Sequence, residues 1–454
     1  MAETAEGPVA FDLEVETLVV GGGACGLVAA LAAQEAGQEV LVAEADAVPQ
    51  GSTALSAGLI PAAGTRFQRE AGIDDAPARF AEDIQHKAGG ENDAALVQAL
   101  AEGAAPAVEW LAERHGLDFS LVGDFDYPGH SRRRMHGLPS RSGRELIDTL
   151  RATAEAEDIP VICGRRAMVL HHDGPRVTGV TLRLPDGGTE RVGCRRLILA
   201  CNGFGGNRAM VAEHMPAIAD ALWFGHDGNR GEAMRWGAAL GAATRHMGAY
   251  QGHGNVAHPH GILITWAVIT AGGVQVNRAG ARFWNESQGY SEAARAVLAQ
   301  EGGEAFAVFD ARIARIARQF EDFRNAEAQG AVREAPTVEA LARALGLPGP
   351  ALRDTLDAVP EAGADAFGRV WRGERLSPSF CGVRVTGALF HTQGGLVTDG
   401  TGRVQDSSGR PMPNLYAAGG AACGVSGSRD SGYLSGNGLL AAVVLGRAAG
   451  MARP

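Results

Sequence analysis

Residues 15–44 read VETLVVGGGACGLVAALAAQEAGQEVLVAE. VETLVV predicts a short strand, GGGACG at 21–26 a glycine turn, LVAALAAQEAG a helix, and EVLVAE at 39–44 a second strand. This is G-x-G-x-x-G in the strand–turn–helix setting that a dinucleotide fingerprint requires. An ordinary glycine-rich βα turn is the plainer reading, but the acid at the end of the second strand, Glu44, completes the pattern. Gly21 permits the tight turn, Gly23 lets the backbone approach a pyrophosphate, and Gly26 lets helix and strand pack closely. The helix, opening at Ala24, then offers free N–H groups and its positive dipole end to phosphates. A carboxylate at Glu44 suits a ribose with free hydroxyls and would repel a 2′-phosphate.

The chain has 454 residues, enough for one large or two to three ordinary domains. Its 64 glycines are about twice the usual share and follow no collagen period, which assigns them to turns and close approaches. A formal charge of -11 argues against nucleic-acid or anionic-membrane partners. Cys25, Cys163, Cys194, Cys201, Cys381 and Cys423 form no C-x-x-C, which removes zinc ribbons, dithiol pairs and covalent c-type haem. No metal site is expected; His258 and His260 in HPH lack further ligands. The acidic start MAETAEGPVAFDLEVE shows no signal peptide, and GLLAAVVLG is too short to span a membrane. A cytoplasmic setting is expected.

Residues 80–115 read as helical, and 131–144, SRRRMHGLPSRSGR, as a solvated loop with some salt bridges, or one that greets an anionic substrate or phosphate. A helix follows at about 143–157, a β-meander and strand at 159–200, and a closing helix at about 437–449. The middle, 246–388, mixes strands and helices without repeats. The expected architecture is α/β: a Rossmann-like nucleotide-binding domain (1–245 and 389–454) interrupted by an inserted α+β domain (246–388).

Only one fingerprint is present, and GSTALSAG at 51–58 follows it, with Ser52, Thr53, Ser56 and Gly58 able to let a flat ring and phosphates approach. Further motifs appear in order: LILACNGFGGN at 197–207, GNRGEAMRWGAALGA at 228–242, VQVNRAGARFWNES at 274–287, HTQGGLVTD at 391–399, then YAAGGAACGVSG and GYLSGNGLL. Together these resemble the fumarate reductase and succinate dehydrogenase flavoprotein superfamily, which includes the 3-ketosteroid dehydrogenases. The resemblance runs nearly end to end. It implies a FAD domain split by a cap, with the active site between them, and cofactor contacts that include Ala167, Asn202, Gly203, Gly419 and Leu439. Gly420 stands where the family often has Glu, and Gln50 stands near the position where some relatives attach FAD through histidine, so non-covalent FAD is expected.

Fumarate reductases of this family resemble one another in two substrate-facing histidines and two arginines. The histidine positions correspond to His253, after Met247 and Gln251, and His391 in H-T-x-G-G. The arginine positions hold Tyr290 and Tyr433. A dicarboxylate wants guanidinium forks; a phenol donates to a ketone oxygen or, as phenolate, removes an α-proton. Ketosteroid dehydrogenases of this superfamily carry tyrosines at positions resembling these, and Tyr433–Ser435 looks like their Tyr-x-Ser. The plainer reading makes both packed aromatics.

The expected reaction is desaturation of a cyclic ketone, with a small ring such as 4-oxocyclohexanecarboxylate or a 3-ketosteroid as substrate. Tyr290 acts as base and the β-hydrogen leaves as hydride to flavin N5. Tyr433 and Ser435 bind the carbonyl or relay the proton, backbone N–H groups around Gly436–Asn437 stabilise enolate charge, and His253 and His391 fix a polar end of the substrate. Trp266 and Trp284 line the cavity or fill the cap core. Oxygen or another electron acceptor completes the turnover. The rivals are a C=C reductase fed by an external donor and a non-catalytic, electron-carrying flavoprotein.

Overall fold

The computed structural model of the protein describes residues 3–123, 126–373 and 375–453. Strand Leu13–Val20, helix Ala24–Glu35 and strand Val40–Ala43 form the fingerprint unit. The two strands are parallel, with Leu18 opposite Leu41 and Val20 opposite Ala43. Thr189–Leu199 lies parallel on the other side of Leu13–Val20, Pro411–Ala417 beyond it, and Val161–Ile162 outside Val40–Ala43. Val40–Ala43 is buried throughout, as a strand covered on both faces must be. Arg166–Asp173 and Arg176–Arg183 extend the sheet as an antiparallel meander. The C-terminal strand Pro411–Ala417 thus completes a sheet begun by the first twenty residues.

Helix Ala24–Glu35 is buried over ten consecutive residues, Ala24 to Ala33. Against it lies the closing helix Asn437–Met451, longer by two residues than its sequence suggested. Gly446 and Gly450, one turn apart, make this approach possible. A Cβ on Gly446 would lie 2.7 Å from the Cys25 carbonyl oxygen, and one on Gly450 would lie 2.3 Å from that of Ala29. Arg196, buried at the strand's far side, donates to the carbonyls of Ala449 (2.8 Å), Gly450 (3.1 Å) and Ala452. It satisfies the helix's orphan carbonyls and offsets the negative dipole end.

A second, largely antiparallel sheet runs Ile262–Leu263, Tyr250–Ala257, Phe380–Thr392, Glu304–Asp310, Val274–Val276. Leu222–Trp223 and Arg333–Ala335 also pair with Phe380–Thr392, so this sheet recruits strands from before residue 246 and runs past 388. With its helices it forms the α+β cap on the Rossmann-like layer. Helix Tyr290–Leu298 rests on this sheet at glycines: a Cβ on Gly254 would meet Ala293 at 2.4 Å, and one on Gly387 would meet the Ala294 carbonyl at 2.4 Å. Residues 80–115 are two helices, Pro77–Lys87 and Ala94–His115. Gly89 and Gly90, both at positive φ, break them, and Asp93 caps the second. Among the described residues no helix is long and apolar enough to cross a membrane.

Gly450→Ala is expected to force the two helices apart at Ala29 and to cost about 1–3 kcal/mol, as overpacking does. Urea unfolding with an unchanged m value measures it; wild-type stability would show that the helices are not held in backbone contact.

Candidate functional site

One cavity runs from the fingerprint to the cap. At its fingerprint end Gly21 adopts φ 109°, and a Cβ there would lie 2.5 Å from the Ala200 carbonyl. Gly23 is open towards the cavity, with Thr53 Oγ1 at 3.8 Å the nearest atom to a Cβ. Gly23 has no side chain with which to cap the helix, and of the first-turn N–H groups that of Ala24 donates to Thr53 Oγ1 at 3.2 Å. A diphosphate fits this N-terminus, where uncapped N–H groups and the helix dipole favour negative charge. Glu44 accepts hydrogen bonds from the N–H groups of Gly22 and Asp46, while burial pushes its pKa up. Ser52, Ser56, Gly58, Ala167, Asn202, Gly419 and Leu439 line the same cavity.

Two glycines named from the sequence do not line it. Gly26 packs, as expected, with a Cβ position 1.8 Å from the Gly21 carbonyl oxygen. Gly203 corrects the expectation of a cofactor contact: a Cβ there would strike Thr392 Oγ1 at 1.8 Å, so its service is close packing between the two sheets. The sequence reading missed His226, which lines the cavity, pairs with Asp46 at 2.7 Å, and has no motif of its own to announce it. Asn229 was quoted only within a motif; it joins the site by donating to Ser52 Oγ at 2.9 Å.

At the cap end Tyr290 and Tyr433 face each other edge to face, with ring centroids 5.9 Å apart. Tyr290 begins the helix that rests on the cap sheet, and Tyr433 stands in the loop before the closing helix. Burial pushes the Tyr290 hydroxyl up to about 12, although hydrogen bonds from Ser435, Tyr433 and the Gly436 N–H favour its phenolate. Burial, then the neighbouring Tyr290, also holds the Tyr433 hydroxyl well above its ordinary value. The Gly438 N–H lies 3.5 Å from the Tyr433 hydroxyl.

His253 stacks on Tyr290, with centroids 4.7 Å apart. Burial lowers its pKa to about 3 and that of His391 to about 4, so both rings are neutral. The Asn255 N–H donates to His253 Nδ1 at 3.1 Å, and Gln393 Nε2 donates to His391 Nδ1 at 2.8 Å. Each histidine therefore keeps its proton on Nε2 as a donor. Gly420 makes room for His391: a Cβ there would lie 2.1 Å from Asn202 Oδ1 and 2.6 Å from His391 Nε2. Trp266 lines the cavity, and Trp284 packs near it with its indole N–H on Gln275.

Asn437 is a second correction. Its N–H is taken by the Leu434 carbonyl at 3.0 Å, and its side chain is buried outside the cavity. Asn437 Nδ2 reaches Ser426 Oγ at 3.3 Å, which donates to Gln393 Oε1 at 2.8 Å. Asn437 thus supports the partner of His391 rather than touching a substrate.

The arginine-rich loop is not uniformly solvated. Arg134 is fully buried, next to the short strand Met135–Gly137, and pairs with Asp75 at 2.9 Å and Asp83 at 2.5 Å. The same guanidinium lies 3.2 Å from His130 Nδ1, and His130 Nε2 bonds the Ser435 carbonyl at 2.9 Å. Burial first, then Arg134, keeps His130 neutral, with its pKa lowered to about 4. With Nδ1 accepting from Arg134, Nε2–H donates to Ser435 and fixes the loop that carries Tyr433. The charge pattern alone could not separate this residue from its exposed neighbours Arg132 and Arg133.

A dinucleotide cradle joined to a capped, tyrosine-bearing cavity defines a flavin-dependent oxidoreductase. The chain belongs to the FAD binding domain family, matching it over residues 16–439, and to the fumarate reductase/succinate dehydrogenase flavoprotein superfamily; it binds FAD. It is 32% identical to a probable fumarate reductase, Ifc3, of Shewanella frigidimarina, over 96% of this chain and 74% of that one. It is 26% identical to the 4-oxocyclohexanecarboxylate 2-dehydrogenase of Sinomonas cyclohexanicum, over 96% and 93%. Among solved structures, the 3-ketosteroid-Δ4-(5α)-dehydrogenase of Rhodococcus jostii RHA1 superposes with a TM-score of 0.75 at 26% identity, covering 98% and 97%.

Arg134→Met would leave Asp75 and Asp83 without their buried partner. A loss of about 3–5 kcal/mol is expected in chemical unfolding. Arg134 also holds the Asp83 carboxyl below its ordinary value, after burial is overcome. That share of stability is present above the unfolded carboxylate pKa of about 4 and fades as pH falls through the lower folded value. The variant should lack this acid-side loss.

Proposed function

We propose that the protein desaturates a cyclic ketone. A base removes the proton α to the carbonyl, the β-hydrogen leaves as hydride, and an α,β-unsaturated ketone results. The observation that carries this reading is the grouping of Tyr290, Tyr433, Ser435 and Gly436 at the cap end of the cavity, with the two phenol rings edge to face, where the described lining residues include no lysine or arginine. A dicarboxylate would leave its charges unmatched there, whereas phenols within an apolar wall suit a ketone.

In this reading Tyr290 is the base, and donors from Ser435, Tyr433 and the Gly436 N–H favour its phenolate against burial. Tyr433 and Ser435 donate to that phenolate and carry the proton onward. Neutral Nε2–H donors on His253 and His391 hold the substrate's polar groups without adding charge. Bound FAD supplies the two-electron acceptor for the hydride, and oxygen or another carrier removes those electrons. The segment 246–388, joined by strand Leu222–Trp223 and by the end of Phe380–Thr392, serves as the cap that excludes water. The chain works in the cytosol, in keeping with its six free thiols. The likeness to a 4-oxocyclohexanecarboxylate dehydrogenase and a 3-ketosteroid dehydrogenase supports the chemistry. The identity to a fumarate reductase supports the reverse direction, reduction of a C=C bond by an external donor, with Tyr290 as the acid.

Anaerobic absorbance of the flavin on adding cyclohexanone, 4-oxocyclohexanecarboxylate or a saturated 3-ketosteroid is expected to bleach with at least one. No bleaching, with reoxidation of chemically reduced flavin by an enone, would establish the reductase direction instead. Tyr290→Phe should retain FAD and lose about 10²–10⁴ in the bleaching rate; full activity would remove Tyr290 as the base. Because the folded Tyr290 pKa lies near 12, the bleaching rate should rise with pH through the alkaline range. Tyr433→Phe removes a donor to the phenolate, so this rise should move to still higher pH.

A further inference from the structure

The cavity has a charged group that the proposed chemistry does not use. Asp322, in the first turn of helix Glu321–Ala328, lines it from the cap side, beside Phe320 and near Leu263 of the adjoining strand. The charged groups that act on Asp322 are Glu321, its neighbour on the same helix, and Arg144, which opens helix Gly143–Ala156 on the flavin side. The helix of Asp322 packs on strand Ile262–Leu263, whereas Tyr290 and Tyr433 come from helix Tyr290–Leu298 and from the loop before helix Asn437–Met451. Arg165 and Arg166 also line the cavity, but at the fingerprint end. The Arg165 N–H bonds the Glu44 carbonyl, and the two side chains are paired with Glu190 and Glu232. Both cap-side histidines are neutral. The cap end of the cavity is therefore apolar, through Leu59, Met135, Trp266 and Phe390, with one acid and no facing cation among its described lining residues.

We propose that Asp322 selects the substrate: the end of the ketone remote from Tyr290 carries a hydroxyl that donates to this carboxylate, and ketones bearing a carboxylate at that end are excluded. The proposal rests on the ketone reading and narrows it. A half-buried carboxylate gains a charge-assisted hydrogen bond from a hydroxyl, whereas a second carboxylate meets like charge in a cavity wall.

The test uses the FAD-loaded protein and matched ketones. One set is 4-(hydroxymethyl)cyclohexanone, 4-methylcyclohexanone and 4-oxocyclohexanecarboxylate; the other is a saturated 3-ketosteroid bearing a hydroxyl or a ketone on its far ring. Binding is read from perturbation of the oxidised flavin bands, turnover from anaerobic bleaching. Well above pH 6 the hydroxyl compound should bind about a hundredfold more tightly than the carboxylate, and Asp322→Asn should collapse that ratio. Burial raises the Asp322 pKa to about 6, so in the wild type the carboxylate ketone should bind better as pH falls through that value. The asparagine variant should show no such change. The wild-type pH series stands even if the variant folds poorly. Binding of the carboxylate ketone equal to that of the methyl ketone at alkaline pH, or an unchanged ratio in the variant, would overturn the proposal. Discrimination in binding without bleaching by any ketone would uphold Asp322 as the selector and reject desaturation.

Discussion

The close contact of two helices, Ala24–Glu35 and Asn437–Met451, is the constraint on which the rest depends. The first carries the fingerprint, the second follows the Tyr433–Gly436 loop. Gly446 and Gly450 remove the side chains that would keep them apart, and Arg196 holds the C-terminal end of the second helix in place. Residues more than four hundred positions apart thereby share one rigid corner, with the dinucleotide cradle and Tyr433 on either side of it. Helix Tyr290–Leu298 approaches from the cap by the same device, glycine backbone against helix. Each half of the site is therefore placed by backbone contact, which is stiffer than contact between long side chains.

Burial then sets the electrostatics. It keeps His253, His391 and His130 neutral and raises both tyrosines. The cap end of the cavity thus offers hydrogen-bond donors and apolar walls. The same desolvation makes partners decisive: Ser435, Tyr433 and the Gly436 N–H favour the Tyr290 phenolate against burial. The buried Arg134, itself neutralised by Asp75 and Asp83, fixes the His130 tautomer, and through it the Ser435 carbonyl.

Much of this was legible in the chain itself. The strand–glycine–helix unit at 15–44 and the two tyrosines in arginine positions lead to the nucleotide cradle and to the cap-side pair. The errors have a common form. Gly203 and Asn437 lie inside motifs whose neighbours do line the cavity, and a motif cannot state which of its members turns inward to pack. Residues 80–115 look continuously helical because their apolar spacing persists, while Gly89 and Gly90 end the first helix locally. His226, Asp322 and Arg134 carry no pattern, since their meaning comes from the element packed opposite.

By itself the sequence determined the local events: where strands turn into helices, which loop can approach a pyrophosphate, and that phenols replace guanidiniums at two motif positions. These depend on steric and covalent properties of neighbouring residues, which a one-dimensional chain records. Tertiary structure alone decided which of these groups are desolvated and paired. It buried Arg134 and left Arg132 exposed, kept two histidines neutral with their protons on Nε2, and set Asp322 into an otherwise uncharged cap wall. Charge state and hydrogen-bond direction follow from solvent exclusion and from partners distant in sequence, and both arise only when the two sheets close over one cavity.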